Sequence, residues 1–202
     1  MKPKRANSGD PRTAPALTIV PLTEDRWPDF EQLFGTRGAC GGCWCMAWRL
    51  PRGQWEKGKG AGNRRAMRAR VAGGPPPGLL AYEGGRPAGW VSVAPREEFP
   101  RLGASRVLAP VDARPVWSVT CFFIAKGHRG RGVSVALLRA AVAFVRERGG
   151  KRVEGYPYDV APGALPGPFV WTGLASAFRA AGFQEVARRS KSRPIFQCET
   201  GA

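Results

Sequence analysis

Residues Val116–Arg148 read VWSVTCFFIAKGHRGRGVSVALLRAAVAFVRER. Trp117 to Ile124 is an apolar, β-branched and aromatic run, the pattern of a buried strand. Gly127 to Gly132 (GHRGRG) is a basic, glycine-rich turn. From Val133 to Arg148 the apolar residues Val133, Leu137, Leu138, Ala141, Val142 and Val145 recur at helical spacing. Strand, glycine turn and helix in this order make an anion site. The first turn of a helix carries unpaired N–H groups and a partial positive charge. Glycines let a phosphate approach the backbone, and Arg129 and Arg131 add fixed charge and forked donors. The residues alone point to a phosphate or pyrophosphate site. Two other nucleotide signatures fail: Gly58-Lys59-Gly60-Ala61-Gly62 lacks the closing Lys-Ser/Thr, and Val135 stands where a G-x-G-x-x-G begun at Gly130 requires glycine.

Arg129-Gly130-Arg131-Gly132-Val133-Ser134 resembles the R/Q-x-x-G-x-G/A signature of GNAT-type N-acetyltransferases. Arg129 takes the first position, Gly132 the invariant glycine, and Ser134 stands where Gly or Ala is usual. The flanks agree, and LLAYEGGRPAGWVSV (79–93) and FRAAGFQEVARRS (178–190) are similar to the family's second and third strands and its C-terminal region. The resemblance implies an α/β fold with a mixed, mainly antiparallel, splayed sheet and flanking helices, in a single domain over 17–199. It implies transfer of acetyl from acetyl-CoA to an amine of a small molecule or peptide. Phe122, Phe123 and Ile124 are expected to line the acetyl group and pantetheine. Arg129, Gly130, Arg131, Gly132, Val133, Ser134 and Val135 are expected to hold the pyrophosphate.

The chemistry sets three tasks. The amine must lose a proton before it attacks. The carbonyl oxygen must be stabilised as charge develops, which backbone N–H groups around Phe122 to Ile124 can do. The departing thiolate needs a proton or a hydrogen-bond donor. The family often places a Tyr four residues before the Gly of its "G-F" pair; here that residue is Phe178, and Trp171 stands where an Asn is frequent. Tyr156 and Tyr158 are the alternative donors. Glu154, on the strand after the helix, is the candidate base among Glu97, Glu98, Glu154 and Asp159, each of which reads by default as a solvated carboxylate. Phe178 motivates a rival reading, a catalytically inactive coenzyme A-binding regulatory module.

The charge motivates another. With 32 Lys+Arg against 15 Asp+Glu the formal net charge is +17, which raises nucleic-acid binding. The basic residues are scattered along the chain and accompany no nucleic-acid motif, so no dedicated nucleic-acid binding is expected. The charge favours anionic ligands and disfavours a polyamine acceptor. No apolar run approaches the ~20 residues that span a membrane, and the N-terminus lacks the apolar core of a secretory signal. A cytoplasmic protein is expected, and a homodimer is compatible with the fold.

Residues 1–16 read as a disordered basic tail. Leu17–Leu22 is a strand whose Pro21 suggests an edge or an end. Thr23 is read as the N-cap of a helix to Phe34, with Trp27, Phe30, Leu33 and Phe34 on one face. Cys40, Cys43 and Cys45 form C-x2-C-x-C, which lacks a fourth metal ligand, so no metal is expected; Cys121 and Cys198 stand alone. Trp44, Cys45 and Trp48 are candidates for the acceptor wall. Asn63–Ala72 reads as a helix capped by Asn63, and Glu83–Arg86 as a hairpin turn. Trp171–Ala181 reads as a helix closed by Gly182, before a final hairpin of 183–189 and 193–199.

Overall fold

The structure, a computed structural model, describes residues 16–161 and 169–201; all but the last residue of the expected tail lies outside them. Strand β1 (Leu17–Pro21) leads through a 3-10 turn into helix α1 (Trp27–Phe34). Thr23 is not a side-chain cap: its hydroxyl turns to Asp25 at 2.5 Å. The four apolar residues expected on one face are the ones buried. A loop over 38–50 is followed by α2 (Arg52–Lys57) and α3 (Ala61–Gly73). Helix α3 begins two residues before Asn63. That side chain is buried and donates to the carbonyls of Gly42 (3.1 Å) and Trp55 (3.2 Å), so it ties the loop to the helix instead of capping it.

Strands β2 (Gly78–Glu83) and β3 (Arg86–Pro95) form the expected hairpin. Gly84 (φ 56°) and Gly85 (φ 75°) both adopt positive φ, as a two-residue I′ turn demands. After a 3-10 turn and the one-turn helix α4 (Pro100–Gly103), β4 (Trp117–Ile124) and α5 (Val133–Glu147) fall on the decisive run. Then come β5 (Arg152–Gly155), α6 (Ala175–Ala180), β6 (Gln184–Arg188) and β7 (Pro194–Glu199). Helix α6 is shorter than read from sequence, because residues 171–174 are captured by neighbouring strands, as described below.

The seven strands form one sheet in the order β1-β2-β3-β4-β5-β7-β6, with β1 at an edge, and β4–β5 is its parallel pair. Strand alternation divides the core. Val91, Val93, Val119, Phe122 and Val153 face α5. Leu80, Trp90, Cys121 and Phe123 face α1 and the 38–50 loop. Farther along that second face, Ala94, Tyr156 and Ile195 pack under Phe99 and Leu102. No helix among the described residues is long and apolar enough to cross a membrane.

Candidate active site

Strands β4 and β5 pair over only three positions, Trp117↔Val153, Ser118↔Glu154 and Val119↔Gly155. Beyond them the strands part and leave a V whose apex is the Val119↔Gly155 pair. On its other edge β4 stays paired to β3 past Val119, with a register shift between Ser92 and Val93 that leaves Thr120 as the extra residue of a bulge. Bulges bend a strand and re-aim its groups. The V is spanned by the chain itself: the Phe122 N–H donates to the Trp171 carbonyl at 2.6 Å, and the Tyr158 N–H donates to the Gly173 carbonyl at 2.9 Å. Phe122 is therefore not open to a ligand carbonyl as expected. By strand alternation the Ile124 N–H faces the same edge.

The α5 side of the V is packed. Phe178 is fully buried with its ring against Gly155, where an added Cβ would lie 2.1 Å from it, and it meets Phe122 edge-on at 6.1 Å. The residue that lacks an acidic proton thus fills core. Between Trp171 and Gly173 sits Thr172, 0% exposed, its hydroxyl without a partner among the described residues.

The glycine turn lies at the open end of β4. Gly130 (φ 72°) and Gly132 (φ 79°) are left-handed, and an added Cβ at either would meet nothing within 4 Å. Backbone conformation, not crowding, selects glycine here, and the space over the turn is open. Helix α5 begins at Val133 with no side-chain cap and no acidic residue in its first turn, and its first intrahelical bond from the turn is Ala136 N–H to Gly132 O at 3.1 Å. The N–H groups of Val133, Ser134 and Val135 are the unpaired donors such a start provides. Val133 is buried, its side chain facing Gly89, while Ser134 and Val135 are half-buried. The arginines depart from expectation. Arg129 donates its Nε–H to the Ile124 carbonyl at 3.0 Å, bracing the strand end. Arg131 grips Glu83 through both terminal nitrogens at 3.0 and 2.5 Å, and His128 Nε2 stands 2.8 Å from the same carboxylate. Glu83 offsets the charge that the sequence assigned to the phosphate.

At the apex, on the α1 face, is a buried polar cluster. Glu154 is 1% exposed, not a solvated carboxylate. Its Oε1 accepts from Tyr156 (2.6 Å) and Arg96 (2.7 Å), and its Oε2 accepts from Gln197 (2.7 Å). The Tyr156 hydroxyl also meets Ser118 of β4 at 2.8 Å and Arg96 at 2.5 Å. Burial, then the Glu154 charge, pushes the Tyr156 phenol well above its usual range. Beside the cluster opens a cavity of about 440 Å³ lined by Arg96, Glu97, Asp112, Arg114, Glu154 and Gln197. Of the other carboxylates considered, Glu98 is engaged by Arg49 and Arg70 and Asp159 by Arg179 and Arg188, while Glu97 lines the cavity.

Of the acceptor-wall candidates, Trp48 is half-buried and packs on Trp171 in a tilted pair with ring centroids 5.7 Å apart, beside the V. Trp44 and Cys45 are core. Trp44 stacks on Phe34 at 5.8 Å, and Cys45 Sγ accepts from Trp90 Nε1 at 3.1 Å. Cys121 donates to the Phe122 carbonyl at 3.8 Å, and the neighbouring Cys45 together with burial holds its thiol well above the usual range. Among the described residues no three His, Cys, Asp or Glu side chains are placed to hold a metal ion. Ser118, Arg96 and Thr172 carry no local signal in the sequence; tertiary pairing brings Ser118 and Arg96 to Tyr156 and buries Thr172.

The sequence profile of the acetyltransferase (GNAT) family matches residues 44–158. No curated protein sequence matches the chain. Among solved structures, a GNAT-family acetyltransferase from Streptococcus agalactiae is 15% identical with a TM-score of 0.54, over 91% of this chain and 95% of that one. The polyamine N-acetyltransferase of Drosophila melanogaster, which forms N-acetylagmatine, is 12% identical with a TM-score of 0.55, over 91% and 99%. The yncA protein of Salmonella typhimurium, solved with its cofactor acetyl-CoA, is 12% identical with a TM-score of 0.51, over 92% and 95%. At these identities the likeness is one of fold.

Proposed function

The chain belongs to the acetyltransferase (GNAT) family, and we propose that it transfers acetyl from acetyl-CoA to the amine of a small molecule or peptide. The observation that carries this reading is the V between β4 and β5 with an uncapped helix start and two left-handed glycines at its open end. The residues fit the cofactor. Gly130 to Val135 offer backbone donors in open space to a pyrophosphate. The V leads from there toward the apex, and the Thr172 hydroxyl, without a partner among the described residues, calls for an acceptor atom. The bound cofactor supplies an acyl group activated as a thioester.

The chain's own residues then divide the work. The Ile124 N–H faces the opening, where it can donate to an acyl or pantetheine oxygen. Ser118, Tyr156 and Glu154 form a continuous hydrogen-bonded path from β4 at the apex to the cavity wall. A proton leaving the amine passes to Ser118 while Ser118 hands its own to Tyr156 and Tyr156 to Glu154, which gives it up to solvent in the cavity. Glu154 is the terminus of that path. Arg96 and Gln197 hold it in place. Thr172 would offer a hydrogen bond to the departing thiolate, the part Phe178 has no group to play. Trp48 and Trp171 flank the acceptor's approach. The likeness to the polyamine enzyme does not carry its acceptor here, since a net charge of +17 repels polycations.

The test is thiol release from acetyl-CoA in the presence of a panel of primary amines, with acetylated product identified by mass. Turnover with stoichiometric thiol supports the reading; cofactor binding without release for any amine or peptide contradicts it.

A further inference from the structure

Arg193 immediately precedes β7, and one edge of its guanidinium is unmet among the described residues. Continuing the β5–β7 register beyond Gly155↔Phe196 sets Arg193 across from Tyr158, and its guanidinium lies over that ring, 4.3 Å from the centroid. Ile195, two residues on, packs on the α1 face with Tyr156, whereas Phe196 packs on the α5 face. Arg193 therefore shares the face that carries Glu154, Tyr156 and Ser118. Tyr158 is fixed in turn, its N–H on Gly173 and its carbonyl taking the Ala175 N–H, both at 2.9 Å.

Both Nε and Nη2 of Arg193 are buried without a hydrogen-bond partner among the described residues. These two nitrogens form one edge of the guanidinium, the edge whose parallel N–H groups take the two oxygens of a carboxylate. Arg96, Arg152, Arg179 and Arg188 each have a carboxylate partner, while no ion pair among the described residues involves Arg193. Nearby Asp159 is spent on Arg179 and Arg188. A buried charged donor left unmet is costly, and an anion held along that edge would offset the cost.

We propose that Arg193 binds a carboxylate carried by the acceptor, and that the acceptor is an amine of amino-acid type. This rests on the acetyltransferase reading above. The distance suits it: Tyr158 lies two residues beyond Tyr156, about 7 Å of extended chain, within the span of an amino acid whose amine reaches toward the apex. The planar two-donor edge matches a planar carboxylate, and the positive field of the chain favours an anionic acceptor over a polycation.

The experiment titrates the full chain, with and without coenzyme A, with N-acetyl-L-glutamate, N-acetyl-L-phenylalanine and N-acetyl-L-lysine, the products such acceptors would give. Each is run beside its carboxamide, and inorganic phosphate is a further arm; the thermal midpoint is the readout. At least one carboxylate is expected to raise the midpoint while its carboxamide does not. Arg193→Met and Arg193→Lys are expected to bind it about 10- to 100-fold more weakly, with their response to coenzyme A unchanged. If Arg193→Met does not fold, Arg193→Lys, which keeps the charge and loses the fork, carries the comparison. The proposal is overturned by no response to any carboxylate, by equal response to the carboxamides, by binding that persists without Arg193, or by an Arg193-dependent response to phosphate alone. Absence of a coenzyme A response sinks the acetyltransferase reading separately, because the arm without coenzyme A still reads Arg193.

Discussion

The Phe122 N–H meets the Trp171 carbonyl at 2.6 Å, so the edge of β4 that faces the V is bridged by the chain's own backbone. The next residue, Thr172, is fully buried, and its hydroxyl has no partner among the described residues. An unmet buried hydroxyl costs about 1–3 kcal/mol. Thr172→Val is therefore expected to raise stability by about 1 kcal/mol while lowering kcat about ten-fold, and Thr172→Ser to preserve both. Urea unfolding together with thiol release at saturating amine checks the pair of effects. A valine variant with full kcat would remove the hydroxyl from the mechanism.

Glu154 and Arg96 are a buried pair, 2.7 Å apart. Glu154→Gln leaves the arginine charge unmet, and a loss of about 3 kcal/mol or more is expected, along with a kcat reduced by about 100-fold. Tyr156 gives an independent readout. Its folded phenol is held well above the usual range, while in the unfolded chain it ionises near pH ~10. Its contribution to stability is thus complete below that pH and is lost as pH rises through the folded value. Tyr82, also displaced upward by burial and by Asp29, shares the trend. Tyr156→Phe is expected to lessen the fall in stability above pH ~10 without abolishing it. Denaturation midpoints across the alkaline range decide this, and an unchanged slope would contradict it.

Glu83 holds the Arg131 guanidinium, which the proposed pyrophosphate site would otherwise have free. Releasing that guanidinium by Glu83→Gln is expected to tighten acetyl-CoA binding about three-fold or more and to steepen its loss with added salt. The gain should vanish when Arg131→Ala is added. Calorimetric titration at two ionic strengths reads both effects, and equal affinity in wild type and Glu83→Gln would show that Arg131 does not reach the cofactor.

Much of the frame was legible because its signals are local. The apolar run Trp117–Ile124 and the helical spacing after Val133 place β4 and α5, and Gly84-Gly85 marks its hairpin. The 171–174 segment reads as helix because its capture by Phe122 and Tyr158 is non-local and leaves no mark in its own residues. Asn63 looked like a cap, yet its amide is spent on Gly42 and Trp55. Glu154 read as solvated because no alternation pattern reveals that Arg96, 58 residues earlier, lies beside it. Arg131 read as free charge because its partner Glu83 is on another strand. The aromatic loop was harder still, since Trp44 and Trp48 differ by only one turn of chain while one packs in the core and the other beside the V.

The most direct measurement is the thermal midpoint of the chain with and without saturating acetyl-CoA, beside Gly132→Trp, whose side chain would occupy the open space over the turn. Ligand that binds only the folded state at about a hundred-fold above its Kd adds about 2.7 kcal/mol, a rise of about 5 °C or more for a chain of this size. That rise is expected in the wild type, and its loss in Gly132→Trp. An unshifted wild-type midpoint, or a shift that survives in the variant, would contradict the placement of the cofactor between the glycine turn and the V.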